Sequence, residues 1–137
     1  MRLAPSNESD LPEIGAWVAA DPWHNSLGDD FWLTGSNCFF AGKLQDDRGT
    51  VCYVKVREED RGYRLDTQFA PAYQVSRSRV VKAAIKFFAV LGDLARANGK
   101  QYIIAESRSP SLIAFLERVG WRYGNGDNLK LEVTQNV

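Results

Sequence analysis

Cysteine and histidine are scarce in this chain. The 137 residues include two cysteines, Cys38 and Cys52, and one histidine, His24. Two cysteines do not form a disulfide framework, and one histidine without clustered carboxylates predicts no metal site. The simplest interpretation is a cytoplasmic protein with both thiols reduced. Each cysteine alternates into an apolar strand, which favours a buried, inert thiol over a nucleophile.

Excess charge of one sign and long apolar runs are also absent. Seventeen basic residues balance seventeen acidic ones, so no global field attracts the chain to nucleic acid or anionic lipid. No apolar run approaches the roughly 20 residues of a membrane span. The N-terminal stretch MRLAPSNESD lacks the apolar core of a signal peptide. We therefore expect neither a nucleic-acid nor a membrane partner.

What the sequence does contain is typical of one globular domain, residues 1–137. Hydrophobic residues make up 45% of the chain and charged residues 25%, without internal repeats or linkers. Hydrophobic spacing predicts helices at 11–20, 79–97 and 110–119, strands at 37–44, 50–57, 63–69 and 101–106, and a final hairpin from 121–123 and 129–133. This order predicts an α+β fold, with a mixed, mostly antiparallel sheet and helices on both faces. In the strand at 50–57, alternation predicts one fully apolar face.

The segment at 69–81, FAPAYQVSRSRVV, joins a strand to the long helix. Its proline-containing turn brings unpaired backbone N–H groups to a helix N-terminus, where an anion such as phosphate can bind. Ser76 and Ser78 are N-cap candidates, and Arg77 and Arg79 add positive charge. The alternative is an ordinary strand-to-helix turn with a solvated basic tip.

Two segments carry a family resemblance. Residues 69–79, FAPAYQVSRSR, align without a gap with the motif V-x-P-E-Y-R-G-x-G-x-G. Residues 109–121, SPSLIAFLERVGW, correspond to N-x-x-A-I-x-F-Y-E-K-x-G-F. With these motifs and this element order, the chain resembles the GNAT superfamily of acyl-CoA-dependent N-acetyltransferases. The resemblance implies a GNAT-like sheet and transfer of an acyl group, acetyl first of all, from CoA to an amine of a small molecule or a protein.

The resemblance also implies where acetyl-CoA would bind. The third meander strand and the strand after the long helix would part, with the acyl-pantetheine arm between them. Backbone groups of Gln68, Phe69 and Ala70 would pair with that arm, and loop N–H groups would hold the pyrophosphate. Ser109 replaces an asparagine that often contacts the cofactor. The loop residues so assigned are Gln74, Val75, Ser76, Arg77, Ser78 and Arg79.

Besides Ser109, three departures from the family motifs bear on function. Arg77 and Arg79 replace both loop glycines, which in the family let the backbone approach the pyrophosphate closely. Arginine side chains there either crowd the ligand or contact phosphate themselves. Leu116 stands where many members carry the tyrosine that protonates the leaving thiolate.

Candidate catalytic groups follow from the need to deprotonate an amine, usually by a carboxylate near the middle strands. Glu106 and Asp66 are the candidates. The alternative for Glu106 is an ion pair with Arg108 at the end of the strand, and the alternative for Asp66 is a carboxylate that faces solvent. Tyr73, nearest to the loop, is the candidate replacement for the missing tyrosine; its alternative is packing.

The acceptor pocket would be shaped by the segment after the first helix. Trp23, Phe31 and Trp32 are candidates to line a pocket for an aromatic or apolar group, and His24 is a possible general base. The alternative is that the aromatics cover a sheet edge and His24 lies at the surface.

Two functions remain open on the sequence. One is an N-acetyltransferase, and the other is a non-catalytic binding or regulatory module of the same fold that has lost acetyl-CoA binding. Apolar surface on the terminal hairpin and the aromatic segment makes a homodimer plausible.

Overall fold

Seven strands and three α-helices make up the part of the chain that the structure describes. The structure is a computed structural model, and it describes residues 1–23, 28–35, 38–124, 126 and 128–133. The strands are β1 (Arg2–Ala4), β2 (Phe40–Asp46), β3 (Gly49–Glu58), β4 (Gly62–Phe69), β5 (Tyr102–Glu106), β6 (Arg122–Tyr123) and β7 (Asn128–Glu132). The helices are α1 (Leu11–Ala20), α2 (Arg77–Ala97) and α3 (Pro110–Arg118), with 3₁₀ turns at Glu8–Asp10 and Asp29–Trp32. None of these helices combines the length and the hydropathy that a membrane span requires.

The strands form one mixed sheet in the order β1-β2-β3-β4-β5-β7-β6. Neighbouring strands are antiparallel except β4 and β5, which are parallel. This architecture confirms the predicted α+β fold with a mostly antiparallel mixed sheet. The sequence does not predict β1, because three residues are too few for alternation to show.

Helices cover both faces of the sheet, as predicted. On one face, here called the α1 face, the Trp17 ring centroid of α1 lies 5.2 Å from that of Tyr53 in β3. On the other, the α2 face, the ring centroid of Phe87 in α2 lies 6.2 Å from that of Phe40 in β2. Helix α3 packs beside α2 on this second face, where the rings of Phe88 and Phe115 stack.

Alternation predicts one fully apolar face on β3, and the structure buries the other face as well. Every residue from Val51 to Val56 is at most 6% exposed. Lys55, on the α1 face, places its Nζ 3.9 Å from the ring centroid of Phe31 in the second 3₁₀ turn. The strand is therefore central to the core, because α1 and this turn cover the side that carries its polar residues.

Helix α2 begins two residues earlier than the spacing predicts. Ser76 is its N-cap, and the Ser76 Oγ accepts a hydrogen bond from the Arg79 N–H at 3.4 Å. Ser78, the other predicted cap, lies inside the helix. At the far end, Gly99 has a φ of +71°, which favours glycine and lets the chain leave the helix.

Candidate functional site

The sheet opens between β4 and β5. The two strands pair over four registers that end at Leu65↔Ala105. Beyond that point β4 continues to Phe69 and, among the described residues, pairs with β3 alone, while Glu106 of β5 pairs with β7. A cavity of about 590 Å³ occupies the resulting cleft.

The backbone of Thr67 and Phe69 faces this cleft. The Ala70 N–H donates to the Val51 carbonyl of β3 at 3.1 Å, and in an antiparallel pair every second residue makes such bonds. Gln68 therefore also directs its backbone groups toward β3. The backbone groups of Thr67 and Phe69 point the opposite way, where an extended ligand with amide groups can pair with them like an added strand.

Three backbone amides at the start of α2 donate to no acceptor in the described part of the chain. The N–H groups of Gln74 and Val75 donate to the Pro71 carbonyl at 2.9 and 3.1 Å, and the Arg79 N–H donates to Ser76. The amides that are left belong to Ser76, Arg77 and Ser78. They form the N-terminus of a 21-residue helix, whose partial positive charge attracts anions.

The two arginines of this turn lie in different places. Arg79 turns to β2, and its Nε and Nη2 donate to the two carboxylate oxygens of Asp46, each at 2.7 Å. These hydrogen bonds hold the pKa of Asp46 well below its usual range. Arg77 lines the cavity and Arg79 does not. Of these two arginines, Arg77 is thus the one that can meet an anion in the cleft.

The cavity is lined from both faces of the sheet. From the α2 face come Phe69, Val80, Val81, Leu112 and Phe115. From the α1 side come Trp17, Asp21, Pro22, Trp23, Trp32, Asp66 and Glu106. The gap between the strands therefore connects a corner that attracts anions with an aromatic, acidic side.

Comparison with protein-family models gives no match, and a search of curated proteins gives none either. Solved structures do match. A GNAT-family acetyltransferase from Staphylococcus aureus Mu50 has a TM-score of 0.71 at 10% identity, over 97% of this chain and 99% of that one. The ribosomal-protein-S18-alanine N-acetyltransferase from Escherichia coli has a TM-score of 0.65 at 12% identity, over 99% of this chain and 96% of that one. An N-acetylglutamate synthase from Neisseria gonorrhoeae, complexed with coenzyme A and L-arginine, has a TM-score of 0.66 at 16% identity, over 98% of this chain and 33% of that one. The chain has the GNAT fold. The fold implied by the two sequence motifs is thereby confirmed.

Both candidate carboxylates of this GNAT-fold chain line the cavity. Asp66 forms an ion pair with Arg57 at 2.7 Å, and its side chain is 13% exposed. Glu106 is exposed and forms no ion pair within the described residues, including with Arg108. Pairing places Asp66 opposite Lys55 and Glu106 opposite Asn128. Of the two carboxylates, Glu106 is therefore the one that no cation of the described residues already pairs with.

Tyr73 lies at the cavity mouth, where it is 80% exposed. Ser109 also lines the cavity and caps α3, its Oγ accepting a hydrogen bond from the Leu112 N–H at 3.4 Å. Leu116 is 3% exposed in the core and does not line the cavity. Leu116, which the sequence motif aligns with the family's tyrosine, is therefore a core residue in this structure.

The predicted acceptor residues separate into three groups. Trp23 and Trp32 line the cavity, whereas Phe31 packs against the Lys55 ammonium and does not line it. His24 lies outside the described residues. Of the three candidates that the structure describes, two thus lie at the cavity.

Sequence reasoning missed Trp17 of α1 and Asp21 directly after it, which bond to Gln74 of the loop and to Gln68 of β4. The Trp17 Nε1 donates to the Gln74 Oε1 at 2.9 Å, and the Gln68 Nε2 donates to the Asp21 carboxylate at 3.2 Å. Gln74 and Gln68 therefore use their side chains to hold the cavity wall in place. These two hydrogen bonds join residues that are 57 and 47 positions apart in the chain, so no local pattern predicts them.

Proposed function

We propose that this GNAT-fold domain binds an acyl-CoA between β4 and β5 and transfers the acyl group, acetyl first of all, to an amine. The observation that carries the proposal is the opening of the sheet directly beside the three amides at the start of α2. We also propose the cytoplasm as its compartment, on the cysteine usage of the sequence.

The cleft residues fit the parts of acetyl-CoA. The edge of β4 at Thr67 and Phe69 suits the amide-bearing pantetheine arm. The amides from Ser76 to Ser78 and the Arg77 side chain suit the diphosphate. When bound, acyl-CoA supplies the acyl group as a thioester, whose carbon–sulfur bond breaks as the amide bond forms, with release of the thiol.

The cleft residues would prepare the acceptor and orient the donor. Glu106 would take a proton from the incoming ammonium so that the amine is neutral when it reacts. The N–H groups of Thr67 and Phe69, held in place by the pairing of β4 with β3, would donate to carbonyl oxygens in the cleft. Asp66 is held by Arg57 and would shape the field beside Glu106. Tyr73 stays the candidate proton donor.

Calorimetry with acetyl-CoA, together with a thiol-release assay over a panel of amines, tests the proposal. We expect saturable binding and transfer to at least one amine. Glu106→Gln should reduce kcat by roughly 100-fold without changing acetyl-CoA affinity. Glu117→Gln, an exposed carboxylate outside the cavity, is the matched control and should leave both unchanged. Absence of binding at millimolar acetyl-CoA would contradict the proposal.

Three departures from the GNAT motifs favour a second candidate, a binding module without catalysis. They are the arginines at 77 and 79 and the leucine at 116. If acetyl-CoA affinity is absent from the parent and appears in the Arg77→Gly, Arg79→Gly double variant, the loop has lost its function. Affinity in the parent without transfer to any amine would indicate a sensor of acyl-CoA instead.

A further inference from the structure

Ser107 brings a buried hydroxyl group to the wall of the cavity. It follows β5 directly and is 7% exposed. Of the described residues that line the cavity, the others with a hydroxyl group are exposed or partly exposed: Thr67, Tyr73, Ser109 and Ser111. Because buried polar groups normally satisfy their hydrogen-bonding capacity, the contacts of the Ser107 hydroxyl show what it can still bind.

The Ser107 hydroxyl uses its acceptor capacity and keeps its hydrogen free. Its Oγ accepts a hydrogen bond from the Ser109 N–H at 3.2 Å. The hydrogen of the hydroxyl has no acceptor within the part of the chain that the structure describes. Since a hydroxyl is a donor as well as an acceptor, Ser107 can donate to a ligand in the cavity while the Ser109 amide holds its oxygen in place.

Ser107 and Glu106 approach the gap between β4 and β5 from opposite faces of the sheet. Glu106 lines the cavity from the α1 side, and Ser107 is the next residue. The bond from Ser107 to Ser109, the N-cap of α3, places the hydroxyl beside the start of this helix, which packs on the α2 face. Arg77 of α2 lines the cavity as well. A donor with its anionic end at Arg77 would therefore present its sulfur near Ser107 and its carbonyl carbon toward Glu106.

We propose that Ser107 is a catalytic residue, whose hydroxyl donates a hydrogen bond to the sulfur of the acyl-CoA as the carbon–sulfur bond breaks. This inference rests on the proposed function, since it assigns a further residue of the same site. It gives the leaving sulfur a partner in a chain that has Leu116 at the motif position of the family's tyrosine.

The nitrogen of the acceptor loses two protons in this reaction. Glu106 takes the first from the ammonium, and the neutral nitrogen then attacks the carbonyl carbon. The carbon–nitrogen bond forms, and the carbon–sulfur bond breaks with its electron pair on sulfur. The hydrogen bond from Ser107 stabilises that negative charge, because hydrogen bonds to ionised acceptors are stronger than those between neutral groups. The second proton, given up by the new amide nitrogen, reaches the sulfur, and the thiol is released.

The test measures binding of coenzyme A by calorimetry, with desulfo-coenzyme A, which lacks the sulfur, as the reference ligand. At alkaline pH the thiol is ionised, and Ser107→Ala should weaken coenzyme A binding roughly 10- to 150-fold, as expected for one hydrogen bond to a charged group. At neutral pH the thiol is protonated, so the loss should be much smaller. Desulfo-coenzyme A should bind both proteins equally at either pH.

Other charged groups at the cavity are the same in both proteins, so the comparison isolates the hydroxyl. The described charged residues that line the cavity are Asp21, Asp66, Arg77, Glu106 and Arg108. Ser107→Thr keeps a hydroxyl and should restore the alkaline affinity. Ser107→Gly lacks the hydroxyl and takes the place of Ser107→Ala if that variant does not fold. Ser6→Ala is the matched control, because Ser6 is 1% exposed but lies outside the cavity, and it should affect both ligands alike.

The outcomes separate this inference from the acyltransferase. If coenzyme A binds but variants without the hydroxyl keep the alkaline affinity, or lose affinity for both ligands alike, the inference is overturned and the proposed function stands. If Tyr73→Phe, and not Ser107→Ala, causes the sulfur-dependent loss, the sulfur lies at the cavity mouth and the inference is again overturned. Absence of binding by both coenzyme A and acetyl-CoA overturns the two proposals together.

Discussion

Replacing Arg77 by glutamine should weaken acetyl-CoA binding moderately. The amides of the proposed phosphate site belong to the backbone, so the Arg77 charge is the component that a substitution can remove. Arg77 is exposed at the first turn of α2. An ion contact in water contributes about 1 kcal/mol, which corresponds to roughly five-fold in Kd. Screening should shrink the difference as salt rises, since the Debye length falls from about 10 Å at 0.1 M to about 3 Å at 1 M.

Calorimetry of the Arg77→Gln variant at low and high salt gives this measurement, with two comparisons. Arg79→Gln should leave acetyl-CoA affinity unchanged, because Arg79 does not line the cavity and its guanidinium is paired with Asp46 through Nε and Nη2. Lys86→Gln removes the same charge from an exposed position of α2 outside the cavity and should also have no effect. A larger loss of acetyl-CoA affinity in Arg79→Gln than in Arg77→Gln would refute the conclusion that Arg77 contacts the ligand while Arg79 binds Asp46. Tighter binding by Arg77→Gln would show that this arginine crowds the ligand.

Three further predictions concern the scaffold. Ser76→Ala should lower the free energy of unfolding in urea by about 1 kcal/mol through loss of the N-cap, whereas Ser78→Ala inside α2 should cost much less. Because the pKa of Asp46 is lowered in the folded protein, its ionised carboxylate stabilises the fold at pH values above the ordinary pKa of 3.8. This contribution is lost as the pH falls below 3.8. The stability difference between wild type and Asp46→Asn should therefore shrink on acidification through that range. A difference independent of pH would contradict a stabilising ion pair between Arg79 and Asp46. Burial raises the pKa of the Cys52 thiol and leaves it 1% exposed, so Cys52 should react with a thiol reagent at pH 8 only after unfolding.

The elements around the cleft were predictable because their signals are local. An apolar strand, a proline turn and an N-cap serine occur within the stretch from Phe69 to Ser76, and the long helix follows with a clear apolar spacing. Burial of both faces of β3 was not predictable, because the polar residues Lys55 and Arg57 indicate that their face contacts solvent. What covers Lys55 is the ring of Phe31, which is 24 positions earlier in the chain.

The site itself was predictable only in outline. The sequence locates the loop, but it does not show which of its amides already donate within the protein. Two of the predicted amides, those of Gln74 and Val75, donate to the Pro71 carbonyl. It also names the backbone groups of Gln68 and Ala70 as partners of the ligand. The hydrogen bond from the Ala70 N–H to the Val51 carbonyl instead directs the backbone groups of both residues toward β3. Which residues of β4 direct their backbone groups toward β3 depends on the register between the two strands. No spacing within β4 determines that register.

Residue-resolved hydrogen exchange with and without acetyl-CoA tests the open cleft most directly. In the free protein, the amides of Thr67 and Phe69 should exchange quickly, while those of Gln68 and Ala70, bonded to β3, should exchange slowly. Saturating acetyl-CoA should slow exchange at Thr67 and Phe69, and at the amides of Ser76, Arg77 and Ser78. Slow exchange at Thr67 and Phe69 without ligand, or rates at all five that acetyl-CoA does not change, would contradict the account.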